Sequence, residues 1–347
     1  MIEEKENMIG NGFVQDLKFL YRHFGLQEAW KQRVIPTIKA KILGKDYYKE
    51  YNAAVVAFLR KDLQSIVKQY KEIFAASSAI PVLRKDAPIW VCWWQGETQM
   101  PPIIRKCYQI LRKQANGHVV HLVTESNCRD IVKIPEHVYE HLKEGRITIT
   151  HFTDILRTAL LSQHGGLWLD ATYFVCHPIE IEGSVWYTLK QSKRKTSLAS
   201  KFRWTGSLMG GDLGFPFFCF LFDCLVYYWE RHKGLINYFF LDYLIVLAYE
   251  EFPQFKVICD NNPLRTPDLH DLKKLFFEPY DADRWKQITA CNEFLALSWK
   301  LPFPSLTSDG KQTYFGHFMN MQILEEFNES TSTETSSEDF NSSLSVE

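Results

Sequence analysis

No apolar run in this sequence is long enough to cross a membrane. The longest, Phe215 to Trp229, falls short of the roughly 20 residues a spanning helix needs and carries Asp223, so it reads as a buried helix. Neither charge is in excess: 40 basic side chains face 41 acidic ones, for a formal net charge of −1, and no global field draws in nucleic acid. There is no G-x-G-x-x-G fingerprint and no Walker-type phosphate loop, which removes the usual support for hydride transfer or P-loop ATP hydrolysis. No His-rich ligand set stands at metal spacing, so a metal-dependent hydrolase has little behind it. The 8 cysteines, spread from Cys92 to Cys291, include no Cys-x-x-Cys pair and read as reduced thiols. The acidic start, MIEEKENMIG, has no apolar stretch, so neither a signal peptide nor an anchor is expected there.

Aromatic residues are abundant, at 15% with 10 Trp and 16 Tyr. Most must fill a core, but flat rings are also faces on which sugars and bases stack. A length of 347 residues fits one large α/β unit with an appended helical part, or two domains. Residues 13 to 80 read as helices, with the stretch from Tyr47 to Phe74 long, periodic and studded with lysine. From Ile89 short apolar strands, IWVCWW and HVVHLVT, alternate with helical stretches such as Pro102 to Gln114, which predicts a parallel or mixed sheet covered by helices. Short strands are expected at Ile147 to Ile149 and Val185 to Leu189, a basic loop at Lys190 to Lys201, and apolar helices at Phe217 to Arg231 and Ile236 to Glu251. Three regions result: 1–84 helical, 85–324 an α/β body with its last ordered element near Leu324, and 325–347 an acidic Ser/Thr-rich tail of disordered composition.

One segment stands out, Thr153 to Val175. Asp154 and Arg157 lie three apart, and Ile155, Leu156, Ala159 and Leu160 recur at helical spacing, so the two polar heads share a face beside an apolar one. Thr153 suits an N-cap, and Gly165 with Gly166 suits the stop. Leu167, Trp168 and Leu169 then read as a buried strand. A helix from Asp154 to Gln163 rises about 15 Å and four strand residues return about 13 Å, so Asp170 comes back near the level of Asp154. With strand and helix antiparallel, Asp154, Arg157 and Asp170 face one cleft beside the electropositive start of a helix, at the sheet edge where α/β proteins bind ligands. A polar, anionic ligand belongs there. The bland alternative makes Asp154 a capping residue, Arg157 its surface partner and Asp170 a turn residue.

A second feature is Ile89 to Gly96, a strand of bulky residues ending in Gln95 and Gly96. Trp93 or Trp94 at its end can stack on a nucleobase, with backbone exposed by Gly96; a plain core strand is the competing account.

Taken in order, IWVCWWQG, the Pro101-Pro102 helix start, THFTDILRTALLSQHGGLWLDATYFV, the DYLIVLAY helix and LSWK resemble the bacterial capsular polysaccharide synthesis glycosyltransferases, part of the wider set of sugar transferases with a DXD motif. The likeness runs from about Ile89 to about Tyr314. It implies a GT-A type, Rossmann-like mixed sheet flanked by helices, with a helical N-terminal extension, and it makes 85–324 the catalytic domain. It also implies a nucleotide diphosphate sugar as donor, retention of configuration, and a divalent metal, commonly manganese with magnesium as the alternative, at the diphosphate. By the same resemblance Asp154 and Arg157 contact the donor sugar, Asp170 the ribose and metal, and Trp93 the base. Where the full motif has two acids this chain reads Asp170-Ala171-Thr172, and Thr172 offers the metal only a neutral oxygen.

Departure of a nucleoside diphosphate builds negative charge, for which Lys300 and the lysines of the loop from Lys190 to Lys201 are candidates, although a solvated surface run is the better account of the loop. His317 among aromatics reads as a packed core residue before a metal ligand. Asp212 and Asp242 are candidates for the acceptor, and Asp242, on an apolar helix, needs a partner. The reading is a hexosyltransferase with Asp154, Arg157 and Asp170 as catalytic residues. Trp93, Gln95, Gly96 and Lys300 join them in holding the donor, with Asp170 and Thr172 at the metal. The acceptor is a glycan or lipid-linked glycan, with no nucleic acid partner. The location is cytoplasmic, where the basic loop and apolar amino-terminal helices permit peripheral contact with the inner face of the plasma membrane without demanding it. The missing second acid motivates the alternative, a catalytically silent sugar-nucleotide or glycan-binding subunit.

Overall fold

The structure, a computed structural model, describes residues 45–77, 79–191 and 198–322. The helices expected before Lys45, the middle of the basic loop at 192–197 and the acidic tail lie outside the described residues. In chain order the elements are α1 (Lys45–Asp62), α2 (Gln64–Ala76), β1 (Ile89–Cys92), α3 (Pro102–Gln114), β2 (Val120–Val123), α4 (Cys128–Ile131), α5 (Glu136–Lys143) and α6 (Ile149–His164). They continue with β3 (Gly166–Leu169), β4 (Tyr173–Val175), β5 (Tyr187–Thr188), β6 (Leu208–Gly211), α7 (Pro216–Arg231), α8 (Phe240–Glu251), α9 (Pro253–Asp260), α10 (Asp271–Leu275), α11 (Ala282–Cys291), β7 (Phe294–Ala296) and α12 (Tyr314–Asn320).

Five strands form one mixed sheet in the order β2-β1-β3-β6-β5, with β1 parallel to both its neighbours and β6 antiparallel to β3 and β5. Side chains alternate across it as strand geometry requires. Trp90, Cys92 and Trp168 join the core shared with α6, α7, α8 and the amino-terminal helices, while Ile89, Val91, Leu167 and Leu169 join the core shared with α3, α10 and the β4–β7 ribbon. Helices α1 and α2 are fastened to α7 and α8 by polar contacts as well: the Tyr70 hydroxyl donates to Asp223 at 2.7 Å, and Arg60 pairs with Glu250 and Glu251 at 2.6 and 2.5 Å.

Several boundaries differ from the sequence reading, each for a local reason. The helix expected without a break from Tyr47 to Phe74 is interrupted at Leu63, where ψ swings to 17°. Residues Ile147 to Ile149 form no strand, because the Thr148 hydroxyl accepts from the His151 N–H and starts α6 at Ile149. Thr153 is therefore helix interior and turns its hydroxyl back to the Thr150 carbonyl at 2.7 Å. Only Tyr187 and Thr188 of the expected Val185 to Leu189 strand pair in the sheet. Helix α8 starts at Phe240 instead of Ile236, since the Asn237 side chain accepts from the Phe239 N–H and holds a turn there.

The joint between α6 and β3 leaves no room for side chains. Gly165 and Gly166 have φ of +68° and +100°, and the Gly165 carbonyl accepts from the Trp90 indole at 2.8 Å. A Cβ on Gly166 would lie 2.3 Å from the Pro88 carbonyl oxygen, and one on Gly165 would lie 2.4 Å from the Leu213 nitrogen. Gly96, with φ +87°, has open space where its Cβ would go. Gly96→Ala is expected to cost about 2 kcal/mol from backbone strain alone, since φ +87° with ψ 162° is a region that essentially only glycine adopts. Gly166→Ala should cost about 3 kcal/mol or more, because strain and backbone collision add. Urea midpoints of the two variants measure the difference, and equal costs would contradict this account of the joint.

Candidate active site

Asp154 and Arg157 project from the second and third turns of α6, and Asp170 follows directly on β3. Because α6 starts at Ile149, Asp154 is well inside the helix; the expected place beside its electropositive first turn is not where the structure puts it. The three side chains nevertheless converge. Arg157 Nη2 lies 3.1 Å from Asp154 Oδ1 and 3.4 Å from Asp170 Oδ1. The arginine also donates through Nε to the Thr153 carbonyl at 3.2 Å and through Nη1 to the Gly206 carbonyl, and its guanidinium lies 5.2 Å from the Trp168 ring centre. It is 5% exposed, whereas the Asp170 side chain is 34% exposed, so the cation forms the floor and the acid the rim.

Asp170 is held from three sides. Its N–H donates to the Ser207 carbonyl at 3.0 Å, and its Oδ1 accepts from the Trp168 indole at 2.7 Å besides meeting Arg157. Both side-chain contacts fall on Oδ1, which leaves Oδ2 available to a ligand. Surrounding protein pushes this carboxyl above its ordinary range, while Arg157 and the indole N–H pull the other way. Ser207 continues the polar wall, its hydroxyl 2.6 Å from that of Tyr173 and 3.0 Å from that of Thr205.

The wall opposite is α8 and the turn before it. Asp242 accepts from the Trp204 indole at 2.8 Å, the partner its apolar helix requires. Burial drives its carboxyl up to about 6, with the Trp204 bond opposing and the charge of Asp154 adding to the rise. Tyr238, 69% exposed, has its hydroxyl raised by partial burial and by the negative fields of Asp154 and Asp170.

The strand expected to take in IWVCWW ends at Cys92, and Trp93 and Trp94, in the turn after it, diverge. Trp94 packs edge-on against Phe152 of α6, whereas Trp93 meets Trp299 edge-on at 5.9 Å, and its Nε1 is buried without a hydrogen-bond partner. Lys300, exposed, has its Nζ 5.7 Å from the Trp299 ring centre. This group joins the acid rim through the β4–β7 ribbon, where the Leu297 N–H donates to the Thr172 carbonyl at 3.0 Å. Gln95 and Gly96 form the exposed turn after β1, closed by the Gly96 N–H donating to the Trp93 carbonyl.

Other candidates are placed elsewhere. Asp212 sits by Gly165 at the opposite end of β3 and pairs with Arg84 at 3.2 Å, because β6 runs antiparallel and carries it away from Asp170; it is not an acceptor residue of this cleft. Lys190 donates its ammonium to the carbonyls of Asp260 and Asn262, tying down the end of α9. His317, half-buried, stacks on Tyr280 at 3.9 Å at the edge of the core and not within it. His151, Trp168 and Tyr238 are site residues that the sequence reading missed. His151, three residues before Asp154 on a helix, and Trp168, two before Asp170 on a strand, had spacing signals that would have found them; Tyr238 had none.

Among the described residues no three His, Cys, Asp or Glu side chains gather to hold a metal ion. The chain itself offers Asp170 Oδ2 and the half-buried Thr172 hydroxyl. Such a pair is no cage for a hard divalent cation, which takes six or more oxygens; it fits a cation whose other ligands arrive on a diphosphate.

Comparison with known proteins adds the following. The family described as capsular polysaccharide synthesis protein matches residues 36–318, which takes in α1 and α2 as well as the sheet. A curated relative, the O-glycosyltransferase braB of Annulohypoxylon truncatum, is 29% identical over 104 residues, 27% of this chain and 25% of its own. The chain thus spans about a quarter of that relative's length. A solved PaToxG glycosyltransferase structure aligns with 68% of this chain and 94% of its own at 13% identity, with a TM-score of 0.36.

The raised carboxyl of Asp242 makes a prediction about pH. Between about pH 4 and 6 the folded state keeps a proton that the unfolded chain has released, so stability falls as pH rises through that window, by at most about 3 kcal/mol. Asp242→Asn keeps the Trp204 contact and loses the penalty. Its stability relative to the unmodified protein should therefore climb from pH 4.5 to pH 7.5 in urea titrations; a difference independent of pH would refute the assignment.

Proposed function

The chain belongs to the capsular polysaccharide synthesis protein family, and from that premise we propose that it is a GT-A type glycosyltransferase that moves a hexose from a nucleotide diphosphate sugar to a capsular or surface glycan. The observation that carries this reading is the convergence of the Asp154 and Asp170 carboxylates on the Arg157 guanidinium at the carboxyl edge of the sheet. Two acids locked to a shared buried guanidinium present fixed acceptors to sugar hydroxyls, and fixed acceptors cost no reorganisation on binding.

In this reaction the bond from the anomeric carbon to phosphate oxygen breaks, the nucleoside diphosphate leaves with the electron pair, and an acceptor hydroxyl oxygen bonds to that carbon on the same face as its proton passes to the departing phosphate oxygen. Retention of configuration is part of the proposal. Asp154 and Arg157 hold the hexose, and Asp170 Oδ2 meets the ribose. Trp93 covers the base beside the turn at Gln95 and Gly96. Lys300 reaches the phosphates from the loop that the β4–β7 ribbon brings alongside, where its charge stabilises the leaving group. Asp170 and Thr172 would be the chain's contribution to holding a divalent cation, manganese or magnesium, which would supply Lewis acidity at the phosphates. The acceptor is a glycan or lipid-linked glycan at the inner face of a bacterial plasma membrane. No described helix is long and apolar enough to cross a membrane.

The Asp170-Ala171-Thr172 sequence favours one competing account, a subunit that binds sugar nucleotide without turning it over. Donor hydrolysis separates the two: an enzyme releases nucleoside diphosphate slowly without acceptor, and a silent subunit saturates and leaves the donor intact.

Two measurements test the reading. In a thermal-shift screen of UDP-glucose, UDP-galactose and GDP-mannose, at least one should raise the melting temperature, and by more with manganese than without. Manganese alone should give little shift, since the chain offers it too few oxygens. Asp170→Asn should abolish transfer and hydrolysis while leaving the melting curve nearly unchanged, because the amide oxygen can still accept from Trp168. Full activity in that variant would sink the proposal.

A further inference from the structure

Behind Asp154, on the side away from the cleft, stands a buried pair of rings. His151 is 3% exposed, in the first turn of α6, and its Nδ1 lies 3.4 Å from Asp154 Oδ2. Its other nitrogen, Nε2, lies 2.9 Å from Nε1 of Trp229, a fully buried residue of α7. Phe240 closes the third side of the imidazole, 5.9 Å away between ring centres. An indole N–H donates and cannot accept. His151 Nε2 must therefore present its lone pair to Trp229, and the ring proton sits on Nδ1, facing Asp154. The acid then receives a donor on each oxygen, Arg157 on Oδ1 and His151 on Oδ2. A carboxylate held at both ends cannot rotate, so its remaining lone pairs keep one direction.

We propose that His151 is a positioning residue for Asp154, with Trp229 selecting its tautomer. The orientation of the sugar-binding acid is thereby set by α7, an element that does not itself line the opening around Arg157. The inference rests on the reading that Asp154 meets the donor sugar, and it adds the residue that aims that acid. Such an outer donor acts on the ligand only through the group it holds, as the partners of metal-bound histidines do.

The tautomer can be read without any ligand. Long-range nitrogen–proton correlation spectra of protein labelled with 15N-histidine should show His151 protonated on Nδ1 and bare on Nε2. The Nε2 signal should move in Trp229→Phe, which keeps a ring and deletes the donor. A proton on Nε2 would overturn the proposal outright, whether or not any variant folds.

The functional arm uses two amides with opposite reach. In His151→Asn the amide nitrogen falls near the old Nδ1 and can still donate to Asp154; in His151→Gln the amide falls near the old Nε2 and cannot. Titration of each variant with the nucleotide sugars UDP-glucose, UDP-galactose and GDP-mannose should find Asn within about 3-fold of the unmodified protein and Gln weaker by roughly 10-fold or more. Equal affinity in the Gln variant would overturn the positioning role even with the expected tautomer. If the unmodified protein binds none of the three sugars, the donor reading fails and the role toward a sugar falls with it, while the spectra still decide the His151–Asp154 contact.

Discussion

A guanidinium buried to 5% exposure must find oxygen in nearly every direction its N–H groups point, and Arg157 finds it on three separate stretches of chain. Thr153 and Asp154 come from its own helix, Asp170 from the end of β3, and Gly206 from the segment that leads into β6. The cation is thus the point at which helix, strand and loop are brought to one place. Its charge also keeps two carboxylates together that would otherwise repel. Burial pushes the Asp170 carboxyl up, against that arrangement, and the arginine and the Trp168 indole oppose the push.

The rest of the frame serves this convergence. Gly165 and Gly166 let β3 begin almost against Pro88 on one side and the 212–213 backbone on the other, so that the short strand stays in register with β1 and delivers Asp170 to the carboxyl edge. Beyond Asp170 the chain turns into β4, whose antiparallel partner β7 returns a distant part of the sequence to Thr172. Two tryptophans and a lysine thereby share a border with the acids, although Trp93 and Lys300 are separated by most of the chain.

Much of this was legible from local pattern. The bounds of α3 match the expected Pro102 to Gln114, because proline at a first helical position and a repeating apolar face are both local signals. The run Leu167 to Leu169 reads as a strand for the same kind of reason, a short apolar stretch after a glycine stop, and the observed β3 adds only Gly166. Legibility failed where a side chain competed with pattern. Thr148 took the helix start from Thr153 by capping the His151 N–H, and an apparent Ile-Thr-Ile alternation became a helix terminus. It failed again for Asp212, since nothing local tells which end of an antiparallel strand an acid will occupy.

The periodicity within α6 and the length of the strand after it determined that Asp154, Arg157 and Asp170 would come level, because rise per residue is a property of the backbone alone. Only the tertiary structure decided which groups surround them. His151 and Trp229 lie far apart in sequence, as do Asp242 and Trp204 on their side of the cleft, and each pair meets through a single hydrogen bond across packed elements. Such contacts depend on how helices and loops settle against one another around a shared core. That settling is fixed by the fit of many side chains together, and no spacing along the chain encodes it.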